Sequence, residues 1–555
     1  MGRVRVGILM EGTRGPFPIR TMIETLRGDA NVELFPIRCL RPPESPWTRL
    51  SATRGRQGVR GTVGATLFHV VATVERWLLA AAFPARFRDR LAAKPIDDAC
   101  PAGTVTIGAP ADRRTARFAD DEVAKVRALD LQLLVRGTLE GEFAGGILGA
   151  AQAGILSLDY RERGWRSGWP PGLREVRSRM PATGFAVLLF TPAASGGTVV
   201  LRTDTATQRS FAENRASLYA VSWAFLAQAI GTFARTGAFR RPAETSPSLP
   251  AAAPGPGAAL AYACRTLSLY SALAARRLIL GKRRRWSVAF ARAPWNALSR
   301  SGATVVRNPE GRFLADPFVV TKQGRSVIFV EDYAFERGRG AISAVVLDDA
   351  GGYAILPDIV AEPFHLSFPF LFDFAGDLYM VPESHEARSI RLYRCARFPD
   401  VWEFMHELMA DVRAADTMVL RHAGRWWLLA NIAPPGCDAF DAQLCAFSAD
   451  TPLSRDWTPH PGNPVVLSCA TSRNGGFVRD EDGAILRVRQ RPAFGEYGES
   501  MSLARIVRLD ETAYDEEFRQ TLLPDFLPGV KGTHHMHSDG TVTVFDFVRE
   551  ERVDR

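Results

Sequence analysis

The sequence predicts two domains of different class, an α/β domain over 1–239 and an all-β, five-bladed β-propeller over 286–555. Three observations carry this. Before residue 240 short apolar strands alternate with helix-like segments. The stretch RRPAETSPSLPAAAPGPGA at 240–258 cannot pack a core and reads as a linker. After residue 286 five similar hairpins recur.

Bulk properties set the frame. At about 150 residues per domain, 555 residues exceed one core. A composition 46% hydrophobic and 23% charged is that of a soluble globular chain. The net charge of +9 comes from arginines spread along the sequence. It favours anionic surfaces without selecting one, and no nucleic-acid partner is expected. Seven cysteines, an odd number with no C-x-x-C pair, point to reduced thiols and a cytoplasmic setting. The opening MGRVRVGILMEG enters a strand at once, leaving no room for a signal peptide. The most apolar run, LFHVVATVERWLLAAAF at 67–83, is interrupted by Glu75 and Arg76, so a soluble or membrane-peripheral protein is expected.

In the first half, VRVGILM and LDLQLLV read as strands of a parallel sheet, PIRTMIETLRG and RASLYAVSWAFLAQAIGTFAR as helices. This half resembles the formyltransferase N-terminal fold. The resemblance rests on VRVGILMEG, LDLQLLVRG, GILSLDYRERGWRSGWPPGLREV, ATGFAVLLFTPAASGGTVVLRTD and NRASLYAVSWAFL, over about 3–235. That family relies on an Asn-x-His pair and a later aspartate, and the matching positions here are Ser157, Asp159 and Ser195. The resemblance therefore implies a retained fold in a catalytically degenerate domain, without formyl transfer, because no imidazolium donor remains. No G-x-x-x-x-G-K-[ST] or G-x-G-x-x-G loop is present, and no cofactor is assigned.

Beyond the linker, 259–285 reads as an amphipathic helix with a basic end at Arg276, Arg277 and Lys282 to Arg285. Such a helix either docks on a neighbouring domain with its charges solvated or lies on an anionic membrane face.

The propeller is read from DPFVVTKQGRSVIFVED, FPFLFDFAGDLYMVPE, DTMVLRHAGRWWLLAN, GGFVRDEDGAILRVRQ and THHMHSDGTVTVFDF. Their turn glycines, Gly324, Gly376, Gly424, Gly483 and Gly540, are spaced by 52, 48, 59 and 57 residues. Repeats of this length built from hairpins signal propeller blades. The last hairpin has too little chain after it, and WSVAFAR at 286–292 is expected to supply its missing strand and close the ring.

Register then selects candidate residues. Eight positions before the glycine stand Asp316, Phe368, Asp416, Gly475 and Gly532. Seven after it stand Glu331, Glu383, Asn431, Gln490 and Phe547, with Asp546 one earlier. Both positions lie at the open end of the hairpin, which in a propeller faces one mouth of the central channel. Polar residues there either cap the ladder or meet a ligand. The recurrence of carboxylates favours a ligand, since paired carboxylates serve glycosidic chemistry and bind sugar hydroxyls.

Asp316, Asp416 and Glu383 are the candidate catalytic residues. Glu331, Asp332, His365, Arg473, Gln490 and Tyr497 are the candidate binding residues, and Arg487 joins Arg473 as a candidate phosphate contact. Phe313, Tyr333, Phe364, Trp426 and Trp427 are candidates for stacking on sugar faces. His534, His535 and His537 lie on one strand whose neighbours face opposite sides, so no metal site is expected. The D-x-D of Asp480 and Asp482 sits in a tight turn, where aspartates are common.

The A-D-P-F of the first blade resembles the five-bladed glycoside hydrolase propellers, which implies a base or nucleophile role for Asp316. A closer resemblance is to the N-terminal domain of the glucosamine inositolphosphorylceramide transferase family. It rests on ADPFVV, EPFHLSFPFLF to MVPES, ADTMVL with GRWWLLA, W-x-x-H-P-x-N-P at 457–464, and RVRQ followed by YGESMSL, over about 286–548. In that family sugar transfer is attributed to a separate C-terminal domain. The resemblance thus implies handling of a sugar, sugar nucleotide or glycolipid head group, with glycosyl transfer as the first expectation. A glycoside hydrolase using Asp316 as base and Glu383 as acid, and a non-catalytic glycan-binding scaffold, are the alternatives.

Overall fold

The computed structural model describes residues 2–12, 14–41, 46–82, 93–95, 104–110, 115–139, 141–160, 165–167, 170–239, 249–251, 255–278, 282–297 and 302–552. The chain forms two compact units, one of residues 1–270 with 434–438, the other of 271–433 with 439–555.

The first unit is built on a seven-stranded sheet. Its strands are β1 (Val4–Glu11), β2 (Val32–Leu40), β3 (Val105–Gly108), β4 (Leu133–Arg136), β5 (Ile155–Asp159), β6 (Ala182–Thr191) and β7 (Ala194–Ala206). The order is β7-β6-β5-β4-β1-β2-β3. The five strands from β5 to β3 are parallel, as expected, and β6 runs antiparallel to both its neighbours.

A parallel sheet buries both faces, so its strands must be apolar on both. On one face Val6, Ile8, Val135 and Leu156 pack on Ile19, Met22 and Leu26 of α1 (Phe17–Arg27) and on Trp223, Leu226 and Ile230 of a long core helix, Phe211–Thr236. On the other, Leu9, Ile37, Leu134 and Leu188 meet Val123, Val126 and Ile147. Each such buried side chain contributes roughly 1.5–3 kcal/mol.

The long helices that follow α1 are numbered α2 (Pro46–Ala82), α3 (Phe211–Thr236) and α4 (Pro256–Leu278), of which α4 belongs to this unit as far as Tyr270. Thr62–Ala81 of α2 and the whole of α3 are long and apolar enough to cross a membrane, the former despite Glu75 and Arg76. Most of α3 is core, with 67% of its apolar window buried, against 28% for α2.

Two expectations are corrected. Of the 240–258 linker, Leu249–Ala251 pairs with Trp165–Ser167, while 240–248 and 252–254 lie outside the described residues. The helix expected over 259–285 ends at Leu278, and Lys282–Ala291 is a strand. Its basic run therefore starts a ladder opposite Glu550 and Glu551 rather than ending a helix.

The second unit is a five-bladed propeller of antiparallel sheets. The inner two strands of blades 1 to 4 are Arg312–Lys322 with Arg325–Ala334, Ser367–Phe374 with Asp377–Glu383, Ala414–His422 with Arg425–Ile432, and Asn474–Arg479 with Ile485–Ala493. Blade 5 combines Met536–Ser538 and Thr543–Arg552 from the end of the chain with Lys282–Ala291 and Thr304–Val305 from before blade 1. Trp286 to Ala291 pairs along Thr543 to Val548, the ring closure expected from WSVAFAR.

All five turn glycines take positive φ, from 73° to 94°. In blades 1 to 3 the residue before them, Gln323, Ala375 or Ala423, is left-handed too, as a two-residue hairpin turn requires.

Candidate functional site

The open ends of the hairpins do not simply stop. In blades 1 to 4 the ladder shifts between Ala315 and Phe318, Ser367 and Phe370, Ala415 and Met418, and Asn474 and Phe477, so that two residues oppose one. Asp316, Phe368 and Asp416 sit in these bulges with φ of 48°, 44° and 47°. Left-handed backbone costs a non-glycine residue about 1 kcal/mol or more, and here it re-aims the side chain.

Asp316, Glu331, Glu383 and Asp416 are all buried. The Asp316 Oδ1 lies 3.1 Å from His534 Nε2, and His534 Nδ1 lies 2.9 Å from Asp546 Oδ2. Asp546 is fixed in turn, its Oδ1 accepting the backbone N–H groups of His534 and His535 at 3.0 Å each. The Glu383 Oε1 pairs with His385 Nδ1 at 2.7 Å, and its Oε2 accepts the Asp416 N–H at 3.3 Å. Arg473 Nε donates to Asp416 Oδ2 at 2.7 Å, and Gln490 Nε2 donates to the same oxygen at 3.1 Å. His365 Nε2 stands 3.6 Å from Glu331 Oε1. The mouth thus joins side chains from blades 1, 2, 3, 4 and 5.

Electrostatics separates these carboxyls. Burial works to raise Asp316, but the adjoining His534 imidazole reverses this and holds it at about 2. Burial alone would lower His534, and the Asp546 and Asp316 carboxylates push it up to about 10. Burial raises Glu331 well above the ordinary range, reinforced by the Asp316 and Glu383 charges. Burial also opposes ionisation of Glu383, yet its His385 hydrogen bond and the Arg473 charge hold it below its usual value. Asp316 and Glu331, on paired strands, are thus pushed in opposite directions, Asp316 toward its ionised form and Glu331 toward its protonated form. Among the described residues Asp316, His534 and Asp546 are the group able to hold a metal, their ligand atoms lying within 4.8 Å of one another. The imidazolium of His534 already supplies a positive charge between those two carboxylates.

Several expected residues lie elsewhere. Asp332 follows Glu331 on one strand and so faces the other way, accepting from Arg312 at 2.9 Å and Ser343 at 2.7 Å. Arg487 is 0% exposed, paired with Glu516 and donating to Asn474 and the Thr471 and Ser472 carbonyls, which leaves it unable to meet a phosphate. Asn431 ties blade 3 to blade 4 through Ser472 and Asn474. Phe547 is core, and its neighbour Asp546 is the residue that pairs with His534.

Tyr497 is 46% exposed, its ring edge against Trp286 and 5.1 Å from the Arg473 guanidinium. Trp427 is core, whereas Trp426 lines a cavity of about 620 Å³ among the turns at the opposite end of the blades, with Phe372, Phe477 and His537. Burial pushes His535 down to about 4 and His537 to about 3, so both are neutral and pack on Phe318. The D-x-D caps its own turn, Asp480 Oδ1 accepting from the Asp482 and Ala484 N–H groups.

In the first unit, Ser157 and Asp159 lie on β5 and Ser195 near the start of β7. Asp159 pairs with Ala186, whereas Ala194 pairs with Thr191. Five residues of strand, about 16 Å, separate those two levels, so Asp159 does not meet the start of β7 beside Ser195.

His534 and Asp546 are legible in part, His534 as one of three histidines on a single strand and Asp546 as an acid one place off register. Their pairing with Asp316 spans more than 200 residues and needs the closed ring.

Comparison with known proteins bears on the propeller. Residues 291–523 match the family described as glucosamine inositolphosphorylceramide transferase 1, N-terminal. Glucosamine inositolphosphorylceramide transferase 1 of Arabidopsis thaliana is 31% identical over 242 residues, 41% of this chain and 31% of that protein. Its counterpart in Oryza sativa subsp. japonica is 30% identical over 207 residues, 37% of this chain and 27% of that protein. The chain thus spans less than a third of the length of these relatives. Among solved structures, a family 117 glycoside hydrolase from Zobellia galactanivorans is similar with 11% identity and a TM-score of 0.33, covering 49% of this chain and 93% of its own. An α-L-arabinofuranosidase from Lactobacillus brevis has 13% identity and a TM-score of 0.31, covering 44% and 92%.

Proposed function

We propose that the propeller mouth is the sugar site of a glycosyl-transfer enzyme of glycolipid assembly. The observation that carries this reading is an ionised Asp316 in the same buried mouth as the Arg473 guanidinium. The name of the relatives, glucosamine inositolphosphorylceramide transferase, agrees with it.

In this reading a phosphate-bearing sugar donor enters with its anionic leaving group toward Arg473 and a sugar face on the exposed Tyr497 ring. The buried Gln490 Oε1 has no hydrogen-bond partner among the described residues and is free to accept from a sugar hydroxyl. The incoming acceptor hydroxyl gives its proton to the Asp316 carboxylate as its oxygen attacks the anomeric carbon. His534, fixed by Asp546, keeps Asp316 ionised and oriented, and its own positive charge offsets part of the mouth's negative field. Glu383 and Asp416 complete the polar floor. The α/β unit is proposed as a binding domain of formyltransferase-like ancestry without formyl transfer.

Glycoside hydrolysis is the second reading, favoured by the Glu331 carboxyl, which burial pushes toward its protonated form. There Glu331 protonates a glycosidic oxygen and Asp316 serves as base or nucleophile toward water or the sugar. Glu383, held ionised, suits the acid role less well.

Donor chemistry separates the two. A nucleotide leaving group needs no proton, whereas an alkoxide leaving group does. Full-length protein is assayed with sugar nucleotides plus glycolipid acceptors, following nucleotide release, and with alkyl glycosides. The first reading predicts turnover of a sugar nucleotide that Glu331→Gln leaves within a few-fold. Turnover of glycosides alone, reduced about 100-fold by Glu331→Gln, would establish the second. A folded protein inert toward both donors would overturn each in favour of a binding scaffold.

A further inference from the structure

Helix α2 carries a second surface that the propeller chemistry does not use. Phe68, Ala72, Glu75 and Leu79 form its buried stripe. Phe68 packs on Phe211 and Tyr262, with ring centroids 5.0 and 5.7 Å away. The Tyr262 hydroxyl donates to Glu75 Oε2 at 2.9 Å and accepts the Phe211 N–H at 2.7 Å, which locks α2, α3 and α4 together. The opposite stripe is bare. Val63, Val70, Val74, Trp77 and Leu78 are each more than half exposed, Trp77 at 69%. Positions 63, 70, 74, 77 and 78 follow the helical period, so they share one face. Helix α4 adds Leu260 and Leu267, seven residues apart and likewise exposed.

Charge says what covers this face. Helix α2 holds five arginines, Arg49, Arg54, Arg56, Arg60 and Arg76, and one acid, Glu75, which is turned inward onto Tyr262. Helix α4 contains Arg265, Arg276 and Arg277 and no acid at all. A protein partner would be matched by polar and charged groups around an apolar centre, but the exposed stripe of α2 is uncharged from Val63 to Ala81. Apolar residues with a prominent tryptophan, set in arginine-rich and acid-poor helices, fit the boundary of an anionic bilayer. A transmembrane orientation is excluded by the inward stripe, whose Glu75 and Phe68 are committed to α3 and α4.

We propose that α2, with α4 beside it, lies in the plane of an anionic phospholipid surface and attaches the first unit to it. Val63 to Leu78 covers about 22 Å of helix, long enough to seat several turns at the headgroup boundary. This inference is independent of the chemistry assigned to the propeller and stands or falls without it.

The test is sedimentation of the full chain with phosphatidylcholine vesicles, with and without phosphatidylglycerol, at low and high salt. The expected result is binding to the phosphatidylglycerol vesicles that weakens with salt. Trp77→Ser and Val74→Asp should each weaken it about tenfold, the cost of one buried apolar side chain. Leu267→Ser on α4 offers an independent variant should an α2 variant melt early, and Phe518→Ser, an exposed apolar position of the propeller, should change nothing. Absence of binding to either vesicle, or binding that neither salt nor these variants weaken, overturns the proposal. A wild-type dimer that Trp77→Ser converts to monomer, with no vesicle binding, would overturn it in favour of self-association.

Discussion

The two ends of the propeller hairpins use the same backbone conformation for different purposes. At the turn end, Gln323, Ala375 and Ala423 adopt left-handed φ beside a glycine, and all that results is a reversal of direction. At the open end, Asp316, Phe368 and Asp416 adopt it in the middle of a ladder, and a side chain is turned to face other blades. Strain at the turn is replaceable by glycine. Strain at the bulge is useful only through what the residue carries, as blade 2 makes plain: Phe368 has the same φ as its counterparts and simply packs on Phe318 and His535.

This contrast is open to attack in four ways. The largest effect belongs to Asp316. Asp316→Gly relieves the backbone and Asp316→Asn keeps the shape, yet both should lower turnover of whichever sugar donor is found by about 1,000-fold. Steady-state kinetics would check this, and a glycine variant as active as wild type would show that the bulge matters only as backbone.

Phe368→Ala should cost ~3–5 kcal/mol in denaturant unfolding, the price of a large cavity, with no change in the pH profile of turnover.

Stability should also respond to pH through His534. Its pKa is raised from 6.5 to about 10, so its contribution is fully present below pH 6.5 and is lost as pH rises through 10. Asp316, lowered from 3.8 to about 2, acts in the opposite direction and only at acid pH, its contribution being lost as pH falls through 2. Melting temperature should therefore fall between pH 6.5 and 10, and His534→Gln should flatten that slope.

The smallest effect is at the turn. Ala375→Gly should stabilise by ~0.5 kcal/mol, the strain relieved less the entropy lost, with turnover unchanged.

How much of this could be read from the residues alone follows from the range of each interaction. The turn glycines, the repeat and the strand that closes the ring are local patterns, and all were legible. So was the height of Glu331 and Glu383, because strand period fixes it. The bulge was not: it inserts one residue, and Asp316 and Asp416 owe their direction to it. Asp332 looked equivalent to Glu331 until alternation assigned it to Arg312. Arg473 and Arg487 looked alike as free cations, and only the packed blade shows Arg487 consumed by Glu516. Strand order in the α/β unit was equally out of reach, since nothing local marks β6 as antiparallel or sets Ser195 far from Asp159.

The mouth around Asp316 is proposed to hold the sugar ligand. Calorimetric titration of the full chain with sugar nucleotides and glycolipid head groups tests it most directly, comparing wild type, Asp316→Asn and Asp332→Asn. Saturable binding of at least one sugar ligand is expected, weakened more than about tenfold by Asp316→Asn and untouched by Asp332→Asn, whose carboxylate faces Arg312. Equal binding by all three proteins, or loss with Asp332→Asn instead, would contradict it.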